Sequence, residues 1–324
     1  MVPWIFCRGL TGSESDGISA FRGCGHHRPL SSGAASGENA SVTHRYQAAI
    51  VGGGPAGLQA ALTLGRMHVE TLLFDDVRYR NAASPQMGNV LGWEGAEPAA
   101  LRAAGHAQLA EYPWVRLVRA GAESARDDGR GLVLTASGAE WSVERLLIAS
   151  GVEDALVPIP GVRELWGDVV LPCPYCHGHE FAGGPVAVIS EGSHAEHVGG
   201  LLRGLSSHVP VIAPGEVAEV ARSATGVRIM LLDGGVVEAS CVFIPPNGVP
   251  RSGLAEDLGI RYDGDGIEID ALGRTSRDGV WAAGDVAKRA DARIPAAVVT
   301  ALSSGLIAAA DIAASVAVAR DARR

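Results

Sequence analysis

Basic blocks are missing from this sequence: the formal net charge is −9 and the charged residues are scattered. Nucleic acid and anionic membrane surfaces therefore find no counter-charge here, and neither is expected as a partner. Aromatic residues are few, at 5%, whereas 47% of the chain is hydrophobic and 43 residues are glycine, a composition that suits a globular α/β protein rich in tight turns. No apolar run is expected to reach the length that spans a bilayer. The start of the chain, Met1-Val2-Pro3-Trp4-Ile5-Phe6-Cys7, places no basic residue ahead of a sustained apolar stretch and so lacks the form of a secretory signal. Cysteine is scarce: the five, at positions 7, 24, 173, 176 and 241, are odd in number and thinly spread. That spacing excludes a disulfide framework and makes the cytoplasm the expected compartment.

With 324 residues the chain has room for two domains, each with its own core. Residues 1–44 stand apart, being rich in Gly, Ser, His and Arg and including the low-complexity run Leu30-Ser31-Ser32-Gly33-Ala34-Ala35-Ser36-Gly37. Such a segment buries too little apolar area to offset its ordering entropy and is expected to be disordered. We read it in part as an over-long reading frame whose true start lies near Val42; mass spectrometry of the native N-terminus decides.

From Tyr46 the pattern becomes regular. An apolar strand at 46–51, a glycine-rich turn, a helix from Pro55 to about Met67 and a strand at 69–74 make a βαβ unit. Stretches at 115–120, 131–136 and 140–148 read as a meander. The order then repeats: a strand at 185–190, a turn and helix at 191–205, a strand at 208–213, and a second meander at 217–222, 226–232 and 236–244. The fold class that follows is α/β, with two tandem Rossmann-like, doubly wound, three-layer nucleotide-binding domains, the second inserted in the first. The expected boundaries are 45–152 with 245–324 for the first domain and 153–244 for the second. The alanine-rich helix at about 295–318 is expected to pack back on the first domain.

Gly52, Gly54 and Gly57 follow a strand and open a helix, the context in which such glycines bind a dinucleotide. The first makes the turn, the second admits the pyrophosphate, and the third lets helix and strand pack closely. Pro55 and Ala56 complete the opening turn, and the helix N-terminus stabilises phosphate charge. Asp75 ends the second strand, where a carboxylate can accept from ribose hydroxyls. These residues alone do not separate FAD from NAD.

Cys173-Pro174-Tyr175-Cys176-His177-Gly178-His179-Glu180 carries the most chemistry. Cysteines at i and i+3 share one face of a helical turn, and a thiolate at a helix N-terminus is stabilised. Pro174 suits the first turn, and His177, joined by His179, can move the proton that thiol–disulfide exchange requires. Three other readings compete. Zinc needs further ligands, and no second Cys pair exists. Cys-x-x-Cys-His is also the c-type haem attachment motif, but that chemistry needs export. Two inert buried cysteines are the third. A redox disulfide is favoured, and no metal is expected. Cys241 reads as core, and His194 and His197 as exposed helix residues.

Three ordered stretches resemble the FAD motifs of thioredoxin-reductase-like flavoproteins: Ala49 to Gly57, Ala149-Ser150-Gly151, and Gly279-Val280-Trp281-Ala282-Ala283-Gly284-Asp285. The resemblance covers about residues 46–318. It implies FAD as cofactor, contacts from Gly151, Gly284 and Asp285, with Asp285 on the ribityl chain, and the segment after Arg293 beside the isoalloxazine. It also implies that Cys176 is the flavin-proximal sulfur, that Cys173 exchanges with substrate, and that the protein is a homodimer. Thioredoxin reductases place Asp after the second Cys, where this chain has His177. Cys-x-x-Cys-His-Gly-x-Glu is similar instead to flavin-dependent dithiol oxidases that close disulfides in natural products such as gliotoxin and holomycin.

In the second repeat the fingerprint positions hold Ser190, Gly192 and Ala195, with Glu191 where phosphate would approach. The following strand runs into Ala213-Pro214-Gly215-Glu216 without Arg or Lys. A phosphate crowded there without a cation is disfavoured, so NADPH binding is expected to be weak or absent. The expected activity is FAD-dependent oxidation of a small-molecule dithiol with O₂ as acceptor. The alternative is NADPH-driven reduction of a protein disulfide, with a thioredoxin-like protein as partner.

Overall fold

The residues 48–51, Ala-Ala-Ile-Val, are all buried and form the middle of a five-stranded sheet. Its neighbours are 146–148 on one side and 71–74 on the other, with 280–282 and 115–118 at the two edges. Every pairing is parallel, which is why all of these strands but 115–118 read as short apolar runs covered on both faces. The computed structural model of the chain describes residues 44–264, 266–292 and 294–324. The expectations placed on residues 1–43 and on Arg293 lie outside the described residues.

Helix α1 (Pro55–Arg66) starts on a proline, whose missing N–H is one the first turn leaves unpaired anyway, and buries Ala60, Ala61 and Leu64. It stops at Met67 and His68, the latter with φ +52. Helix α2 (Pro98–Leu109) again begins on proline. An antiparallel ribbon of 124–127, 132–136 and 139–143 covers the sheet.

This corrects the first meander in two places. The stretch 115–120 contributes an edge strand of the parallel sheet, paired with 71–74, and the stretch 140–148 is cut at Glu144-Arg145 into a ribbon strand and a sheet strand. An edge strand is half-exposed, so Val115-Arg116-Leu117-Val118 lacks the continuous apolar run of its buried neighbours and reads like a strand of the meander. The true ribbon strand, Ser124–Asp127, is polar and has weak strand propensity.

The second sheet is parallel, in the order 170–171, 241–243, 186–189, 211–212. After 170–171 comes the one-turn α3 (Pro174–His177), and α4 (Gly192–Leu202) crosses from 186–189 to 211–212. Its antiparallel meander is 217–223, 226–231 and 236–239. The expected strand at 208–213 shrinks to Val211–Ile212, with one bridge from His208 to Pro185, and 236–244 splits at Ser240. All strands of this sheet and meander lie between the fourth and fifth strands of the first sheet in the chain. The two connecting segments, 152–155 and 247–250, pair antiparallel with each other.

Past the short α5 (Leu254–Asp257), the chain ends in α6 (Val298–Ala322). Here the sequence expectation is corrected: α6 has 25 residues and is long and apolar enough to cross a membrane. Alanine supplies that apolarity. In this fold α6 packs on α1, with Ala308, Ala309 and Ile312 fully buried. Burial of the Ile312 side chain alone contributes about 1.5–3 kcal/mol. The spacing is set by Gly305, where an added Cβ would lie 2.1 Å from the Ala56 carbonyl oxygen.

Candidate active site

Gly52, with φ +115, turns the chain out of the first strand and donates its N–H to the Phe74 carbonyl at 2.8 Å. An added Cβ on Gly57 would sit 1.8 Å from the Gly52 oxygen, so this is the glycine that lets helix and strand close up. Gly54 differs: nothing lies within 4 Å of its would-be Cβ, and it caps α1 without a side-chain hydrogen bond. Open space thus adjoins the N-terminus of α1 at Gly54, which is the arrangement a pyrophosphate requires. Ala56 is 4% exposed, and an added Cβ on Gly284, at φ +74, would lie 3.0 Å from its methyl group. Together with Gly305 this explains why position 56 is small.

Asp75 is fully buried. Its carboxylate accepts from the Val77 N–H at 3.0 Å, from the Tyr79 hydroxyl at 2.9 and 3.0 Å, and from Arg119 at 2.7 Å. His106 Nε2 lies 3.3 Å from the same group without hydrogen-bond alignment. The oxygens expected to meet ribose hydroxyls are thus engaged by the chain itself. Burial, with the Asp75 hydrogen bond and charge behind it, pushes Tyr79 up to about 12. The same carboxylate explains a glycine the fingerprint does not name, since an added Cβ on Gly53 would stand 2.2 Å from Asp75 Cγ.

Gly151 is left-handed, at φ +68, with open space about it. Asp285 sits within the turn Gly284–Val286, whose N-cap is Ala283, so it is not itself an N-cap. Its Oδ2 accepts from Arg80 at 2.8 Å.

Cys173 caps α3, and the amides of Cys176 and His177 donate to its carbonyl at 3.3 and 3.2 Å. Both sulfurs are free thiols and half-buried. The Cys176 thiol donates to Cys173 and lowers it most, to about 7; burial opposes, and the amides of Cys176 and Tyr175 and the Arg80 charge add to the lowering. Cys176 is pushed up, chiefly by holding that hydrogen bond and by burial. Of the two sulfurs, Cys173 is therefore the one favoured to give up its proton first. His177 is half-buried, and burial lowers its pKa against the pull of Glu180. His179 is exposed. Glu180 accepts from Gln86 at 3.2 Å. The turn is seated on the first module through Gly88, where an added Cβ would lie 2.0 Å from the Cys176 carbonyl oxygen.

The second nucleotide position repeats the first in backbone but not in chemistry. Ser190 donates its N–H to the Ile212 carbonyl at 3.0 Å, as Gly52 does to Phe74, but Glu191 is the N-cap of α4. Glu216 folds back to accept from the Ala213 amide at 3.0 Å. Gly192, at φ +66, opens α4 and Ala195 is buried within it; His194 and His197 lie on its exposed face. Cys241 is fully buried, and burial pushes its thiol up to about 12.

Residues 46–216 and 206–305 match the model of the pyridine nucleotide-disulphide oxidoreductases. The chain belongs to that family. It is 31% identical to thioredoxin reductase tcpT of Claviceps purpurea, over 76% of this chain and 88% of that one. The crystal structure of HlmI superposes with a TM-score of 0.74 at 31% identity, covering 86% of this chain and 97% of HlmI. The structure of an oxidoreductase from Agrobacterium tumefaciens gives 0.78 at 27%, covering 84% and 99%.

This member of the disulphide oxidoreductases is an enzyme and a flavoprotein that binds FAD. The open Gly54 turn and the uncapped α1 fit the cofactor's phosphates. Sequence reasoning missed Gly53, Tyr79, Arg80 and Gly88. No local pattern marks them, because their partners lie elsewhere in the chain; only Tyr79, four residues from Asp75, was within reach of inspection.

Proposed function

We propose that this oxidoreductase closes a disulfide in a small-molecule dithiol, with O₂ as the final electron acceptor. The observation that carries the reading is the acidic second nucleotide position, where Glu191 caps α4 and Glu216 closes the turn Pro214–Glu216 that follows the 211–212 strand. A 2′-phosphate or pyrophosphate would there meet the Glu191 and Glu216 carboxylates. Electrons then have to enter from the dithiol side.

In the oxidised enzyme a substrate thiolate attacks Cys173 Sγ. The Cys173–Cys176 bond breaks, a mixed disulfide forms, and Cys176 leaves as the thiolate. The second substrate thiol attacks its own bound sulfur, the product leaves as a disulfide, and Cys173 departs as the stabilised thiolate. Two electrons and one proton have passed from substrate to the cysteine pair, and the second proton leaves through the histidines. His177, held neutral near pH 7 by burial, takes a proton from the substrate thiol, and exposed His179 passes it to water. FAD, when bound, supplies the two-electron acceptor that O₂ reoxidises.

A protein-disulfide reductase driven by NADPH is the second reading, supported by the name that tcpT carries. Anaerobic mixing separates the two. A small dithiol is expected to bleach the flavin within the dead time of turnover while NADPH leaves it oxidised, and admitting air then consumes one O₂ per disulfide formed. Fast bleaching by NADPH with none by dithiols overturns the oxidase.

A further inference from the structure

The Asp75 carboxylate has no surface left for a ribose: its side chain is 0% exposed. Both oxygens are taken from within the chain. Oδ1 accepts from the Val77 N–H at 3.0 Å, Oδ2 from Arg119 Nη1 at 2.7 Å, and the Tyr79 hydroxyl lies across the two. Tyr79 is itself pinned, since the Arg102 guanidinium lies 4.1 Å over its ring and donates to Asn81 at 3.0 Å. The neighbouring carboxylate, Asp76, is engaged by Arg78, which donates from Nε at 2.7 Å.

Arg119 is the member of this network that reaches outward. Val51, Phe74 and Val118 pair in one row across the strands 48–51, 71–74 and 115–118. The next residues, Gly52, Asp75 and Arg119, therefore leave the sheet side by side at its carboxyl edge, where a doubly wound sheet binds its dinucleotide. The Arg119 side chain is 52% exposed, and among the described residues only its Nη1 has a partner. A single hydrogen bond separates it from a carboxylate that touches the glycine turn, because an added Cβ on Gly53 would stand 2.2 Å from Asp75 Cγ. Beyond Gly53 lies the open space at Gly54.

We propose that Arg119 reads the adenosine ribose of FAD, donating to its hydroxyl oxygens, and that Asp75 is a positioning residue that holds Arg119 there without touching the cofactor. A carboxylate presented to the ribose accepts from its hydroxyls and repels a 2′-phosphate; this chain presents a cation with donors to spare. The site is therefore expected to favour a phosphate on the adenosine 2′ oxygen. The inference takes FAD binding as given and is independent of the dithiol reading, so either can fail alone.

The test is calorimetry on the deflavinated full-length chain, comparing adenosine 2′,5′-bisphosphate with AMP, together with titration of FAD. The wild type is expected to bind the bisphosphate about ten-fold more tightly than AMP. Arg119→Gln keeps a donor toward Asp75 but no cation: the preference is expected to vanish and the Kd for FAD to rise about ten-fold. Asp75→Asn is expected to weaken FAD as well, and adding Arg119→Gln to it should cost little more, because the arginine acts only while the carboxylate holds it. Equal binding of the two fragments by the wild type, a preference for AMP, or no detectable binding of the bisphosphate overturns the proposal; this comparison decides the matter if Arg119→Gln does not fold. Additive losses in the double variant overturn the positioning role of Asp75. No readout requires turnover, so an enzyme that oxidises no dithiol leaves the result intact.

Discussion

At Cys173 the charge is held by donors from its own turn, first the Cys176 thiol and then the amides of Tyr175 and Cys176, with Arg80 supplying the long-range part. Because the thiolate is the nucleophile, alkylation of the reduced protein is expected to be confined to one fast thiol. Its rate should hold above pH 7 and fall as pH drops through that value and the sulfur protonates. Cys176→Ala removes the main donor and should raise the midpoint toward the ordinary thiol range. Cys173→Ser should abolish the fast phase and lower kcat with a dithiol by at least about 10³-fold. Turnover that survives in the serine variant would exclude exchange at this sulfur. The paired cysteines and His177 were legible in sequence because the chemistry lies within eight consecutive residues. Arg80 was not, since its partner Asp285 is 205 residues away and no local pattern distinguishes it from the neighbouring Arg78. Asp75 was found for its position, but its engagement by Arg119, 44 residues on, and by Tyr79 depends on tertiary folding.

Among the elements, α1 and α6 depend on one another through three small residues, Ala56, Gly284 and Gly305. Gly305→Val should push α6 off α1 and, because Ala56 belongs to the turn that faces the cofactor phosphates, loosen the flavin as well. The expected loss is about 1–3 kcal/mol of stability, read as a lower Tm, with a reduced ratio of flavin to protein absorbance in purified material. An unchanged Tm and full flavin content would mean that the helices separate without strain. The βαβ units were readable because their signals are local: an apolar run, a glycine turn, a proline at the first helical position. The strands at 115–118 and 241–243 were misgrouped because membership in a sheet is decided by neighbours far along the chain, and short edge or buried strands carry no mark of which sheet they join.

For the molecule as a whole, the expectation of a homodimer has a physical counterpart in the exposed apolar residues Val299, Leu306 and Ile307 of α6. Sedimentation is expected to give twice the chain mass, and Leu306→Asp with Ile307→Asp should shift it to one chain while the flavin stays bound. A monomeric wild type would remove that face from consideration. The second nucleotide position makes a global point as well: the repeat keeps the backbone of the first, since Ser190 and Gly52 make the same hydrogen bond, while Glu191 stands as the N-cap where the first repeat has Gly54.

The antiparallel pairing of 152–155 with 247–250 places the entry and exit of the inserted sheet side by side, with Ala155 opposite Asn247. The surrounding sheet is therefore indifferent to how long the insertion is. It behaves as a cartridge clipped to a two-stranded stem: closing the stem with a tight turn would leave every strand of the outer sheet its present neighbours, and exchanging the cartridge for that of a relative would graft a new sulfur pair and substrate face onto an unaltered cofactor holder.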